Sequence, residues 1–363
     1  MNRQLHHQPT HCHGLLIALS EPALTLSRMS DARLLLSSEI PSMTAITDLA
    51  VVDAGSGPLV ICADSNGHAW TWDPLQDVWQ KRPLAYAFAE DPLAAQYPDA
   101  ENEIDTVAAA VSNGRVVLAA GDDEQAPALW DLESGKLLRG TTYEEPYTGA
   151  IAAVRGEGAP RFVTGSQYVG RLQVWEASGQ TPPEELPNDQ YDITSLATAS
   201  IDGRSLVAVG GDCIDVWDLT RNEQLASFSP YDGAVQAVSL ARLTDRRPIV
   251  AAAAEPGELY VWELSEDEDD EDDEPIHDPI TGHEDRILAM DTATVGDRLL
   301  AVTAAEDESV RIWDLAGAAI GVPLIGHQGS VEAVLATSLR GRQVALSAGR
   351  DGRIRVWDLA ALL

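Results

Sequence analysis

Basic side chains are scarce in this sequence. Twenty-four Lys and Arg stand against 58 Asp and Glu in 363 residues, a formal net charge of −34. Such a surface repels phosphate, which excludes direct binding to DNA, RNA or an anionic membrane. It favours basic or cationic partners. Cysteine is also rare. Cys12, Cys62 and Cys213 are too few for a disulfide framework and form no CxxC pair, which fits a reducing compartment. No long apolar run is evident. Residues 15–19 (Leu-Leu-Ile-Ala-Leu) fall far short of the ~20 residues that span a bilayer. They have one Arg before them and no clear small-residue cleavage site, so they do not read as an export signal. A cytoplasmic location is therefore expected. Lysine occurs only as Lys81 and Lys136 while alanine is abundant, the bias of a GC-rich bacterial genome.

What the chain does have is a repeat. Hydrophobic residues make up 45% of it, enough for a sizeable core, and its length allows two or three domains or one repeat array. Trp followed by Asp or Glu occurs seven times, at Trp72, Trp130, Trp175, Trp217, Trp262, Trp313 and Trp357. The gaps are 58, 45, 42, 45, 51 and 44 residues. A second marker keeps the same phase, a branched aliphatic followed three residues later by Leu, Val or Met. It stands at Ile46, Ile104, Ile151, Ile193, Val235, Ile287 and Val331. Between the two markers lies a short β-rich run, and the segment ending in Trp alternates, as in Ile354-Arg355-Val356-Trp357. Each unit reads as three short strands and a weaker fourth. No single unit can bury both faces of its sheet, but a ring of units can. The predicted fold is all-β, a seven-bladed propeller of four-stranded antiparallel blades over residues 33–363, preceded by a disordered extension at 1–32.

The last two units resemble the WD40-repeat family. One runs from Gly282-His283 through Thr303 and Asp307 to Trp313-Asp314, the other from Gly326-His327 through Ser347 and Asp351 to Trp357-Asp358. The resemblance implies two buried structural tetrads, His283–Thr303–Asp307–Trp313 and His327–Ser347–Asp351–Trp357. In each, the turn Asp accepts from the His, which bonds the strand hydroxyl, which bonds the indole. A buried carboxylate is tolerable when paired in this way. The other units depart from the pattern. Tyr147 and Tyr231 stand where His is expected, and Asn66 and Asp212 fall near the turn-Asp place. WD40 rings usually close by borrowing a strand from the N-terminus, and residues 33–38 are placed to supply the outer strand of blade seven.

Two insertions interrupt the period. The first, residues 73–103, has room for the fourth strand of blade one and a long loop. The second is an unbroken acidic run within the blade-five segment 265–276: Glu266, Asp267, Glu268, Asp269, Asp270, Glu271, Asp272, Asp273 and Glu274. Like charges in such a block repel and stay solvated. It offers a lure for a basic partner.

Catalytic chemistry finds little support. There is no Gly-rich phosphate loop, nucleophile elbow or zincin motif. His6, His7, His11, Cys12 and His13 match no closed zinc site and read as a His-rich tail. No metal, cofactor or catalytic residue is expected. The family resemblance places partner docking at the mouth of the ring, on positions flanking the opening aliphatic or preceding the turn Asp. Those with chemistry to offer are Glu103, Asp105 and Asp192 on one arc, Arg286 and Arg350 on another, and Glu306 and Glu332 between, with Tyr147 and Tyr231 as aromatic anchors. Thr47, Thr194, Gln236 and Leu288 hold equivalent places. The expected function is a non-catalytic scaffold, a monomeric ring docking a protein with a basic segment. A carrier for a basic protein and a metal-dependent propeller hydrolase are the alternatives.

Overall fold

The computed structural model describes residues 33–362 except 56, 90, 94–95, 97–100, 143–144, 155, 157, 231–232, 266–273, 317 and 320–322. The predicted N-terminal extension with its His-rich stretch, Tyr231, and the acidic run up to residue 273 lie outside the described residues. Ala32–Leu363 form one compact unit.

The chain forms seven sheets that follow the repeat. The inner strands are Ile46–Asp53, Thr106–Ser112, Thr148–Ala153, Ile193–Ile201, Val235–Arg242, Ile287–Val295 and Val331–Leu339. Each inner strand packs beside the next, and the last packs beside the first, so the blades close a ring. The opening aliphatics Ile46, Ile193, Val235, Ile287 and Val331 begin five of these strands. Within each blade the strands run antiparallel in chain order, so a Trp-bearing third strand such as Ser309–Asp314 lies two places out from the axis.

Blade seven takes its outer strand from Leu34–Glu39, which pairs antiparallel with Arg353–Asp358. The strand sits one residue later than the sequence suggests. Ser37 lies opposite Arg355, and Glu39 forms an ion pair with Arg353. Fourth strands vary. Blade five has three regular strands, and its fourth edge is a bridge, with Leu259 N donating to Ile280 O at 3.0 Å and Ile280 N returning to Leu259 O at 2.9 Å. In blade one the fourth strand is Val78–Arg82. The insertion then lies against blade two, where Ala85 O accepts the Trp130 indole at 2.7 Å and Ala87 O accepts Thr141 N at 3.0 Å.

The core is divided among the blade interfaces. Among the described residues there are seven hydrophobic clusters, each joining two neighbouring blades and each containing one repeat tryptophan. Trp313 shares a cluster with Ile249, Ala251 and Val261 of blade five, and Trp357 shares one with Leu300, Val302 and Ile312 of blade six. The repeat persists because every interface needs one large ring to fill it.

The tetrads orient two of these rings. In blade six, His283 Nδ1 is 2.8 Å from Asp307 Oδ2, its Nε2 is 2.7 Å from Thr303 Oγ1, and Trp313 Nε1 donates to Thr303 Oγ1 at 2.7 Å. In blade seven the corresponding distances, to Asp351, Ser347 and from Trp357, are 3.0, 2.8 and 2.8 Å. Burial opposes the charge of Asp307, but hydrogen bonds from His283, Ser309 Oγ and Glu284 N overcome it and hold its carboxyl well below the usual range. Asp351 is held low in the same way, with Arg355 adding a donor at 2.8 Å. The remaining blades anchor tryptophan differently. Trp175 donates to Thr164 Oγ1 at 2.8 Å without a histidine behind it, Trp72 donates to Asp77 at 2.9 Å, and Trp70 donates to Asp64 at 2.9 Å. Trp217 Nε1 is buried with no partner among the described residues.

Thr303 is buried and its hydroxyl bonds both the histidine ring and the indole, whereas Thr164 bonds the indole alone. Thr303→Val keeps the volume but strands both the histidine and the indole, and is expected to cost about 2–4 kcal/mol. Thr164→Val strands one indole and is expected to cost about 1–2 kcal/mol. Denaturant unfolding of both variants checks the ranking, and equal losses would show that the histidine adds nothing to the tetrad.

Candidate functional site

The antiparallel blades put two kinds of segment at one end of the ring. These are the loops entering the inner strands and the turns joining second and third strands. This end is the mouth. Directly after the first paired residue, six inner strands shift register, as between Ile46 and Asp48, Ile193 and Ser195, or Val331 and Ala333. Such a bulge inserts one unpaired residue and re-aims its side chain. The inserted residues are Thr47, Gly149, Thr194, Gln236, Leu288 and Glu332, and all six line the axial cavity. In six blades these rim positions are thus produced by backbone geometry at the start of the inner strand.

The cavity holds about 700 Å³ and is lined by the inner strands of all seven blades. Small residues dominate its wall. Its charged lining residues are Asp48, Asp105, Asp291 and Glu332, and no basic residue contributes among the described residues. Two of these carboxylates join blades. Asp48 Oδ2 accepts Val107 N at 2.8 Å and Thr106 Oγ1 at 3.2 Å, while Oδ1 accepts Leu49 N at 2.7 Å. Asp291 accepts Thr292 N at 2.8 Å and Ala336 N at 2.9 Å. Ser195 Oγ accepts Val238 N at 3.1 Å, and Thr198 Oγ1 donates to Ala153 O at 2.6 Å. These side chains stitch adjacent inner strands where no sheet ladder joins them.

The structure divides the predicted rim residues into two groups. Over blades six and seven the two rim arginines are already matched. Arg286 donates to Gln236 at 2.9 Å and lies 3.4 Å from Glu255 and 4.0 Å from Glu306. Arg350 Nε donates to Glu332 Oε1 at 3.0 Å, and Ser330 Oγ donates to the same oxygen at 2.6 Å. The expected basic arc is therefore neutralised. Over blades two and four, none of Glu103, Asp105, Asp122, Asp123, Asp189, Asp192 or Asp212 has an arginine or lysine within ion-pair distance among the described residues.

The carboxylates of blade two crowd one another. Burial, with the charges of Asp48 and Asp123, pushes the Asp105 carboxyl up to about 6. Burial, with the charges of Asp105 and Glu103, pushes Asp122 up to about 7 against hydrogen bonds from Glu124 N and Gln125 N. Burial likewise pushes Asp48 to about 6 despite its donors. Asp192, before the inner strand of blade four, has its Oδ1 buried and without a partner among the described residues. Tyr147 is exposed, and so is Glu274 at the end of the acidic run. Among the described residues no group of three or more His, Cys, Asp or Glu is gathered to hold a metal ion. None of their helices is long and apolar enough to cross a membrane.

Several mouth residues escaped the sequence reading. Asp48 stands two residues after an opening aliphatic, as Ser195 does, so a polar residue at that spacing marks the inter-blade bond. Asp122 follows Gly121 at the end of a second strand, as Asp212 follows Gly211. Glu255 fills the turn of blade five and pairs with Arg286. Tyr168 and Tyr191 lie in turns with no repeat signature, and only exposure reveals them.

Comparison with known proteins supports the same repeats. The family model described as "WD domain, G-beta repeat" matches residues 274–314 and 320–358, the segments that carry the two tetrads. Over 127 residues the chain is 30% identical to U3 small nucleolar RNA-associated protein 15 of Saccharomyces cerevisiae. That match covers 33% of this chain and 23% of the relative, so it spans less than a quarter of the relative's length. The relative is a yeast protein, and the bacterial origin suggested by the lysine scarcity has no support from it.

The raised carboxyls make a prediction about stability. Asp122 binds its proton more tightly folded than unfolded, so its protonated form favours the fold. That contribution is lost as pH rises from about 4, its unfolded value, through about 7. Asp122→Asn keeps an acceptor for Glu124 N and removes the charge. It is expected to raise Tm by ~2–4 °C at pH 8 and to leave it unchanged at pH 4.5. Thermal melts at the two pH values check this, and an equal gain at both would dissociate the effect from ionisation.

Proposed function

We propose that this chain is a non-catalytic WD40-type interaction platform whose ring mouth docks a protein partner through a basic segment. The observation that carries the reading is the split rim. Arg286 and Arg350 over blades six and seven are matched by Glu255, Glu306 and Glu332, while Glu103, Asp105, Asp122, Asp123, Asp189, Asp192 and Asp212 over blades two and four have no arginine or lysine partner among the described residues. A cation brought by another protein completes them. The net charge of −34 accelerates such an encounter and makes it sensitive to salt. The ring is a rigid support, because seven tryptophan-filled interfaces hold loops from different blades in fixed relation.

The matched repeats support protein docking as the mode of action. The match to a U3 small nucleolar RNA-associated protein supports a place in an assembly of proteins with RNA. In such an assembly this acidic chain contacts basic protein and leaves the phosphates to others. The acidic run is the rival docking element, and it defines the carrier reading.

Affinity purification separates these readings. Wild type is compared, at low and moderate salt, with a deletion of residues 266–274 and with charge reversal of Glu103, Asp105 and Asp192. The rim reversal is expected to lose a basic partner that the deletion keeps. Loss by the deletion alone would replace the platform with a carrier, and absence of any salt-sensitive basic partner would remove both. A pH dependence follows as well. Asp105 and Asp122 carry full charge only above their raised values of about 6 and 7. Affinity for the isolated partner is therefore expected to rise between pH 5.5 and 8, measured by titration calorimetry.

A further inference from the structure

The mouth over blades three and four exposes aromatic surface beside the uncompensated acids. Tyr147 is 46% exposed, Tyr168 54%, Val169 58% and Tyr191 65%. They come from three successive connections. Tyr147 precedes the inner strand of blade three, Tyr168 and Val169 occupy that blade's turn between second and third strands, and Tyr191 precedes the inner strand of blade four. The connections touch. Thr148 pairs with Ser166, and a Cβ added at Gly149 would meet Gln167 Cγ at 2.9 Å. A Cβ added at Gly170 would lie 3.3 Å from Tyr191 Cα, and Asn188 Nδ2 donates to Gly170 O at 2.8 Å.

Acids flank this patch on both sides. Asp122 O accepts Thr148 N at 2.9 Å, which sets the turn holding Asp122, Asp123 and Glu124 beside Tyr147. On the other side Asp189 and Asp192 bracket Tyr191, and a Cβ at Gly211 would meet Asp192 O at 2.0 Å, which brings Asp212 alongside. The basic residue of the turn, Arg171, lies 3.7 Å from Glu185 and is matched internally.

Exposed aromatic rings rimmed by carboxylates suit one side chain above others. A guanidinium is planar and weakly hydrated, stacks on tyrosine faces, and still donates to carboxylates from its edge. A lysine ammonium is a compact, strongly hydrated charge that gains less from the rings. We propose that Tyr147, Tyr168 and Tyr191 form a docking surface for arginine side chains of an extended, arginine-rich protein segment. This inference rests on the platform reading and narrows its partner from basic to arginine-rich. It also narrows the contact at the mouth to the loops of blades three and four.

The test uses the full chain and two labelled peptides, one of alternating arginine and glycine and one of alternating lysine and glycine, equal in length and charge. Fluorescence anisotropy gives both affinities. The wild type is expected to prefer the arginine peptide. The combined change Tyr147→Ser, Tyr168→Ser and Tyr191→Ser leaves the net charge intact, so attraction to the acidic run and rim is common to all samples. It is expected to weaken arginine-peptide binding about tenfold and lysine-peptide binding less than about twofold, while three Tyr→Phe changes retain both. Melting temperatures confirm folding, and Tyr191→Ser alone serves if the triple variant is unstable. An unchanged arginine-peptide affinity in the serine variants, equal affinity of wild type for the two peptides, or no binding would overturn the proposal. If the serine variants bind normally but reversal of Glu103, Asp105 and Asp192 abolishes binding, the tyrosine surface is overturned and the platform stands. If neither set changes binding, both fall.

Discussion

Each blade depends on a tryptophan that it cannot bury by itself. The indole at the end of the third strand is covered only when the neighbouring blade lies against it, and seven such contacts are satisfied together only in a closed ring. Closure is thus a packing requirement before it is a connectivity. The strand Leu34–Glu39 completes it by giving blade seven an outer edge, with Ile40 buried just beyond in the cluster that contains Trp72. The two tetrads add orientation. They hold an indole through a hydroxyl, a histidine and a carboxylate whose burial is offset by several donors.

Blade packing also shapes the mouth. Neighbouring inner strands share no sheet ladder, so side chains such as Asp48, Asp291 and Ser195 reach across to backbone N–H groups of the next blade. The bulge near the start of six inner strands turns one residue toward the cavity, and the sequence is free to vary there. Charge at the mouth is therefore a local choice on a common scaffold. Here that choice is lopsided, with arginine–glutamate pairs over one half and crowded carboxylates with raised affinity for protons over the other. A carboxylate whose proton affinity is raised responds strongly to an incoming cation, because pairing restores the charge that burial, and then crowding, suppress.

The fold was legible in the sequence wherever a residue answered to a repeated need. The tryptophans, the opening aliphatics and the two His–Asp pairs recur in a common phase because each blade meets the same neighbour geometry. Where blades met that need by other means, the pattern was silent. Trp72 found Asp77, Trp70 found Asp64 and Trp130 found a backbone carbonyl of the inserted segment, none at a family position. The rim was legible as positions but not as chemistry. Arg286 and Arg350 read as a basic arc with Glu306 and Glu332 between, and the sequence showed neither the pairing of Glu332 with Arg350 nor the presence of Glu255 beside Arg286.

The sequence by itself determined the number of blades, the phase of the strands and the acidic character of the surface. Periodicity and composition are properties of the chain alone, and seven tryptophans at a near-constant interval admit few other solutions. The tertiary structure alone decided which charges cancel, which carboxylates crowd, and that three tyrosines from separate connections share one surface. Those properties depend on distances between residues 20 to 60 positions apart, such as Asp48 and Val107 or Tyr147 and Tyr168. Such distances exist only after the blades have packed.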